Sequence, residues 1–435
     1  MPAYHTLRRH ADRTDAVQPR LDLVVIGNGM AGLRVIEDLL ELAPERYNVT
    51  VFGAEPQASY NRIMLSPVLA GDKTFDEIQS RDRAWYAEQG IALYTGESVV
   101  DIDRRRRMVV SDSGREVPYD RLVLATGSTA FVIPVPGHDL DGVISFRAIG
   151  DVERMVEASA RGGRAAVIGG GLLGLEAAYG LHRRGMEVTV VHLQSQLMER
   201  QLDATAAALL QHSLAQRGLS FRMGAETAAI VSDGAGRVAG LRFKDDDAST
   251  LDVDLVVMAV GIRPNIELAR SAGLHCDKGI VVNDTMQTFD PRIYAVGECV
   301  EHRKAVYGLV APLWDQARVC ANHLAWRGHS QYGGSVTATQ LKVTGIDMYS
   351  AGDFAEDEHT ETLTFSDIRR GVYKRIVLRE GCIAGVVLYG DTADGPWYFK
   401  QMQAGTDVSA SRDVLIFGRA FVQADDATDT NREAA

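Results

Sequence analysis

The stretch 21-LDLVVIGNGMAGLRVIEDLLELAPERYNVTVF-52 decides the fold. Leu21 to Ile26 alternates loosely and reads as a strand. It runs into Gly27-Asn28-Gly29-Met30-Ala31-Gly32 and then a helical stretch, Leu33 to Leu42. Tyr47 to Phe52 is a second strand, rich in β-branched and aromatic residues. The same grammar returns as strand Arg164 to Ile168, glycines Gly169-Gly170-Gly171-Leu172-Leu173-Gly174, helix Leu175 to Arg184 and strand Glu187 to Val191. One G-x-G-x-x-G is a weak signal; two, each between strand and helix, form a strong one. In each copy the first glycine permits the tight turn and the second lets backbone approach a pyrophosphate. The third lets helix pack closely on sheet, and the helix N-terminus offers partial positive charge to phosphate. The competing reading is a pair of glycine-rich turns with no ligand.

The rest of the chain sets the frame. Its 435 residues fit two or three domains, and 46% hydrophobic with 24% charged residues is a globular balance with ample core. Lys+Arg 46 against Asp+Glu 58 leaves −12, which argues against nucleic acid or an anionic membrane as partner. Residues 1–20 are mostly polar, read as a disordered extension, and hold no signal-like apolar run. No apolar run approaches the roughly 20 residues of a bilayer span, so the expected compartment is the cytoplasm. Cys276, Cys299, Cys320 and Cys382 show neither Cys-x-x-Cys nor zinc spacing, and no metal site is expected. Thr95 to Tyr119 reads as short β-structure broken by Arg104-Arg105-Arg106-Arg107, a solvated hairpin tip rather than a docking patch for an acidic protein. After Gly328, alternating strands such as Tyr373 to Leu378 and Ile383 to Leu388, joined by Arg379-Glu380-Gly381-Cys382, suggest a small α+β domain. A polar tail follows.

Between and after the two fingerprints lie Leu122-Val123-Leu124-Ala125-Thr126-Gly127-Ser128, then Val257-Met258-Ala259-Val260-Gly261-Ile262-Arg263-Pro264-Asn265, then Ile293-Tyr294-Ala295-Val296-Gly297-Glu298. This ordered set resembles the two-dinucleotide-binding flavoproteins of the pyridine nucleotide–disulfide reductase superfamily, over about residues 21–327. The resemblance implies an α/β fold in which an FAD domain (21–145 and 265–330) is interrupted by an inserted NAD(P)H domain (146–264). A C-terminal α+β domain (331–420) and a tail (421–435) complete the division. It implies FAD on Gly27, Gly29, Met30, Ala31 and Gly32, with Ala125, Thr126 and Gly127 nearby. Gly297-Glu298 stands where the family has Gly-Asp on the flavin's ribityl chain. Glu55 is the nearest acid for the adenine ribose, and Arg62 and Ser66 lie in a segment running along FAD, with a surface ion pair the other reading of Arg62. NADH or NADPH would sit on Gly169, Gly171, Leu172, Leu173 and Gly174, near Gly261. Glu176 stands at the position the family often has near the nicotinamide and flavin; relatives pair it with a Lys, here replaced by Pro67, so its other reading is a residue that stabilises the helix start. His192 stands where NADH-specific relatives carry an acid, which leaves the choice of nicotinamide open. Trp314, on a predicted helix beginning Pro312-Leu313-Trp314-Asp315-Gln316-Ala317, packs either on the isoalloxazine or in ordinary core. No side chain is assigned as catalytic.

No cysteine precedes residue 276, so the flavin-side thiols of the family's disulfide reductases and peroxidases are missing. Leu197-Met198-Glu199-Arg200-Gln201-Leu202-Asp203 and Leu341-Lys342-Val343-Thr344-Gly345-Ile346-Asp347 carry the resemblance further, to the flavin portion of assimilatory NAD(P)H nitrite reductases and to stand-alone electron-transfer subunits. It implies an FAD-dependent NAD(P)H:acceptor oxidoreductase serving a separate protein with an iron–sulfur, sirohaem or molybdenum centre. A homodimer is left open. The rival readings are a rubredoxin or ferredoxin reductase of another pathway and a non-catalytic nucleotide-sensing protein.

Overall fold

The computed structural model describes residues 19–423 except 246 and 344. Most of the expected N-terminal extension and most of the tail lie outside these described residues.

Five parallel strands form a first sheet in the order Ile293–Ala295, Arg121–Leu124, Leu21–Ile26, Tyr47–Gly53, Ala92–Thr95. A second sheet repeats the plan: Val143–Ser145, Leu255–Met258, Arg164–Ile168, Glu187–Val191, Ser220–Arg222, again all parallel. In both, the strand feeding the glycine turn is central and buried on both faces, as parallel strands covered by helices must be. The likeness extends beyond the fingerprints. Each unit carries a three-stranded antiparallel meander: Val99–Asp103, Met108–Ser111 and Glu116–Pro118 in the first, Thr227–Ser232, Val238–Phe243 and Thr250–Asp252 in the second. The second unit is inserted into the first through two linkers that pair antiparallel, Ser128–Ala130 with Ile262–Pro264.

Three expectations shift. The helices begin at Met30 and Leu172, three residues before the starts at Leu33 and Leu175. The last fingerprint glycine already belongs to the first helical turn, where it meets the first glycine's carbonyl. Val143–Ser145 is hydrogen-bonded into the second sheet, so the boundary at 145 cuts that unit's edge strand. The arginine run does turn a hairpin, but Arg104 folds inward, its Nε 2.9 Å from Asp290 and its guanidinium 4.7 Å over Phe289.

The C-terminal sheet is antiparallel, in the order Ala338–Val343, Ile346–Gly352, Cys382–Tyr389, Val372–Arg379, Thr360–Asp367, with the helix Gly395–Ala404 packed on it. Glu380 and Gly381, both at positive φ, form the two-residue turn that joins its central hairpin. This sheet docks on the second unit. Met348, Val387 and Tyr389 share a core with Leu210 and Leu214, while the Tyr389 hydroxyl lies 2.7 Å from Ser213 Oγ and the Tyr373 hydroxyl donates to Asp203.

The close approach of helix to strand is quantifiable. A Cβ on Gly32 would stand 2.2 Å from the Gly27 carbonyl oxygen, and one on Gly174 would stand 2.0 Å from that of Gly169. Gly32→Ala and Gly174→Ala should each therefore lower unfolding stability by about 1–3 kcal/mol, as overpacking against immobile backbone does. Denaturant titration measures it, and wild-type stability in both variants would contradict this packing.

Candidate functional site

Gly27 and Gly169 hold φ of +112° and +124°, and a Cβ on either would strike the carbonyl of Ala125 or Ala259. These glycines are required by the turn. Gly29 and Gly171 are different. Each is the N-cap of its helix in extended conformation, neither gives a side-chain cap, and a Cβ there would meet nothing within 4 Å. The first backbone N–H groups of both helices thus receive no side-chain cap, with Met30-Ala31 and Leu172-Leu173 in the first turns. Such an end suits a phosphate.

A third uncapped helix, Val310–Leu324, closes on the first cradle. Gly297, at φ +93°, sits where a Cβ would lie 3.0 Å from Ala31 Cβ and 3.2 Å from Leu313 Cδ2. Its N–H donates to Gln316 Oε1 at 2.8 Å. Two side-chain amides near the cradle keep a buried donor without a partner: Gln316 Nε2 and Asn28 Nδ2, whose Oδ1 accepts from the Tyr86 hydroxyl at 2.6 Å. Open N-caps and orphaned donors fit a bulky group rich in phosphate and carbonyl oxygen, as FAD is. Residues Gly27, Asn28, Gly29, Gly297 and Gln316 would hold it.

The Ala125-Thr126-Gly127 segment interlocks with the returning linker. Thr126 Oγ1 donates to the Asn265 carbonyl at 2.8 Å, and Asn265 Nδ2 donates to the Thr126 carbonyl at 2.8 Å. Gly127 and Gly261, at φ +65° and +120°, leave open space where side chains would be. Ser128 Oγ donates to Glu298 Oε2 at 2.7 Å, and Arg147 pairs with the same oxygen.

The remaining expectations divide. Glu55 does not stand free at its strand end: Oε2 accepts from the Tyr60 hydroxyl at 2.6 Å and Oε1 pairs with Arg62. Its carboxylate braces the 60–62 segment instead. Arg62 also donates to the Arg147 carbonyl at 3.1 Å, which links the first unit to the start of helix Ile149–Ser159. Trp314 is half-buried, with Arg34 5.8 Å over its ring, so one face is met by a cation from the first helix. Glu176, in the second helix, receives a hydrogen bond from Ser66 Oγ at 2.5 Å. That bond crosses from one unit to the other and supplies the partner that the sequence seemed to lack. Burial pushes the Glu176 carboxyl up from its ordinary value, and the Ser66 hydroxyl pulls it partly back.

His192 ends its strand with both ring nitrogens engaged: Gly170 N–H donates to Nδ1 at 3.0 Å, and Nε2 lies 3.2 Å from Glu199. Sequence reasoning missed Arg147, which no motif announced, and the contacts of Asn28, Glu199 and Gln316, although all three stood inside quoted segments. The four cysteines are free. Cys299 and Cys320 are fully buried, and burial pushes both thiols up. Among the described residues no three His, Cys, Asp or Glu side chains group as around a metal, and no helix is long and apolar enough to cross a membrane.

Known proteins agree with this geometry. The chain is 50% identical over 394 residues to the nitrite reductase [NAD(P)H] of Bacillus subtilis (strain 168), covering 91% of this chain and 48% of that protein. It is 45% identical to the assimilatory nitrate reductase electron transfer subunit of the same organism, covering 91% and 51%. The chain thus spans about half the length of these relatives. Among solved structures, the covalent putidaredoxin reductase–putidaredoxin complex superposes with a TM-score of 0.79 at 27% identity, covering 89% of this chain and 93% of that one. Residues 338–406 match the rubredoxin NAD+ reductase C-terminal domain. Residues 21–321 match the pyridine nucleotide-disulphide oxidoreductase family. With two glycine cradles on two copies of one fold, the chain belongs to that family.

Proposed function

We propose that the chain is an FAD-dependent NAD(P)H:acceptor oxidoreductase whose electrons leave for a separate redox protein of nitrite or nitrate assimilation, in the cytoplasm. The observation that carries this reading is the pair of open helix N-termini behind Gly29 and Gly171, joined across the units by Ser66 and Glu176. FAD, when bound, supplies acceptance of a hydride and its release as single electrons.

This chain's residues bind and orient. Gly29 and Gly171 leave backbone N–H groups for the two pyrophosphates, while Gly297 and the start of Val310–Leu324 place a positive helix end by the first cradle. Glu298 is held by Ser128 and Arg147 in that wall. Glu176 and Ser66 shape the place where the nicotinamide end would meet the first unit. The buried thiols take no part, in keeping with an electron path that leaves the protein. Relatives named for nitrite reduction and nitrate-reductase electron transfer support an acceptor with an iron–sulfur, sirohaem or molybdenum centre. One observation favours a second reading, transfer to rubredoxin: the C-terminal match at 338–406.

Three outcomes test this reading. Gly29→Ala should fold with wild-type stability, because φ is −84° and nothing blocks a Cβ, yet lose FAD affinity at least about tenfold. Flavin absorbance after dialysis reads this, and unaltered retention would remove Gly29 from the cradle. FAD-loaded protein should oxidise NAD(P)H with ferricyanide but form no ammonium from nitrite, which takes six electrons at a metal centre. Ammonium from protein stripped of metal would overturn the assignment. For Glu176 the sign is fixed by linkage: a carboxyl raised by folding costs stability as pH climbs through its range. Glu176→Gln should gain stability relative to wild type as pH rises above the ordinary Glu range, about 4.3, because the unfolded carboxyl ionises there before the folded one does. A stability difference that stays flat with pH would contradict the raised carboxyl.

A further inference from the structure

The second unit lacks an acid where its strand meets a nucleotide ribose, since His192 occupies that place. The structure brings one from elsewhere. Met198, at φ +50°, donates its N–H to the Gly170 carbonyl at 3.0 Å, and the Leu197 side chain lies against the same glycine. Leu197 and Met198 are fully buried. The segment is thus anchored to the phosphate-side turn, and Glu199 follows the anchor directly. Its Oε2 lies 3.2 Å from His192 Nε2, and the Glu199 side chain remains 42% exposed, so a ligand can reach it.

The imidazole sets the charge. A backbone N–H can only donate, so His192 Nδ1 must accept and its proton must sit on Nε2, facing Glu199. The ring is then neutral and adds nothing to attract a phosphate. Nearby Arg222, whose carbonyl accepts from His192 N–H, has its guanidinium committed to Asp245 and Ser249. Glu199 is then the acid that the strand end presents, with the exposed Arg200 as its cationic neighbour.

We propose that Glu199, positioned through His192, is the residue by which the second unit selects NADH over NADPH. Resting on the reading of this unit as the nicotinamide site, it adds that the carboxylate accepts from the ribose 2′-hydroxyl and repels a 2′-phosphate. Arg200, the adjacent exposed cation, is the residue that would favour the opposite choice.

The test uses binding alone. ADP-ribose and 2′-phospho-ADP-ribose are titrated calorimetrically into the full chain loaded with FAD. Wild type should prefer ADP-ribose. Glu199→Gln keeps an acceptor for His192 Nε2–H and removes only the charge, so the preference should fall at least about tenfold, the scale of a charge-assisted contact. Glu199→Ala should lose it as well, and Arg200→Gln should keep it. An unchanged ratio in Glu199→Gln, or no preference in wild type, would overturn the proposal while leaving the nicotinamide site standing. Binding of neither compound by wild type would overturn that site and the proposal with it.

Discussion

A carbonyl oxygen filling the space of an absent Cβ is the contact on which both units depend. Gly27 O lies against Gly32, and Gly169 O against Gly174, at separations no side chain could share. The contact presses each helix onto its strand end, and with it fixes where the helix N-terminus points. Because Gly29 and Gly171 contribute no capping oxygen, the first N–H groups stay unpaired by protein. Such donors are left to water or to a ligand, and an anion suits them. Anion binding and fold stability are thereby coupled, since whatever occupies the cradle binds only the folded state.

The two units are held by a different kind of contact. Gly180 lets the helix Leu172–Arg183 approach Leu69 on the short helix Leu65–Ala70, and Arg184 donates to the Val68 and Leu69 carbonyls at that helix's end. The exposed Arg183–Asp72 pair nearby, at 2.6 Å, is screened by solvent and adds little. Ser66 to Glu176 is the contact with chemical consequence, because it joins the first unit to the helix behind the second cradle through a group able to change charge. The C-terminal sheet stays out of this seam. Asp203, Ser213 and the Leu210–Leu214 face hold it on the second unit's flank.

What was legible in the sequence were the features that chain neighbours decide. The two central strands, their glycine turns and the Glu380-Gly381 hairpin all follow from local periodicity and φ requirements. Helix starts were misplaced by three residues because a glycine in a first turn looks like loop until its packing partner is known. The edge strand Val143–Ser145 is short, and only its pairing with Leu255–Met258, more than a hundred residues away, tells to which unit it belongs. Arg104 was read with its three exposed neighbours, although Asp290 and Phe289 fold it inward. Glu55, Glu298 and Glu176 were each legible as acids in a motif. Arg62 and Ser66 were legible as motif residues too, but that they pair with Glu55 and Glu176 was not, and Arg147 was not legible at all.

The departures from the family's pattern share one physical form: a missing group is answered through space by a residue from another place in the chain. Pro67 removes a lysine, and Ser66 answers Glu176 with a neutral hydroxyl instead. A lysine would have closed an ion pair and held that carboxyl ionised before any ligand arrived. A hydroxyl offers one hydrogen bond and no charge, so burial outweighs it and the carboxyl rises. At the other end of the same cradle, a neutral imidazole stands where an acid is customary, and an acid stands beyond it. At the first place a hydrogen bond is kept and the cation is given up; at the second the acid stands beyond the strand end, bonded to the imidazole.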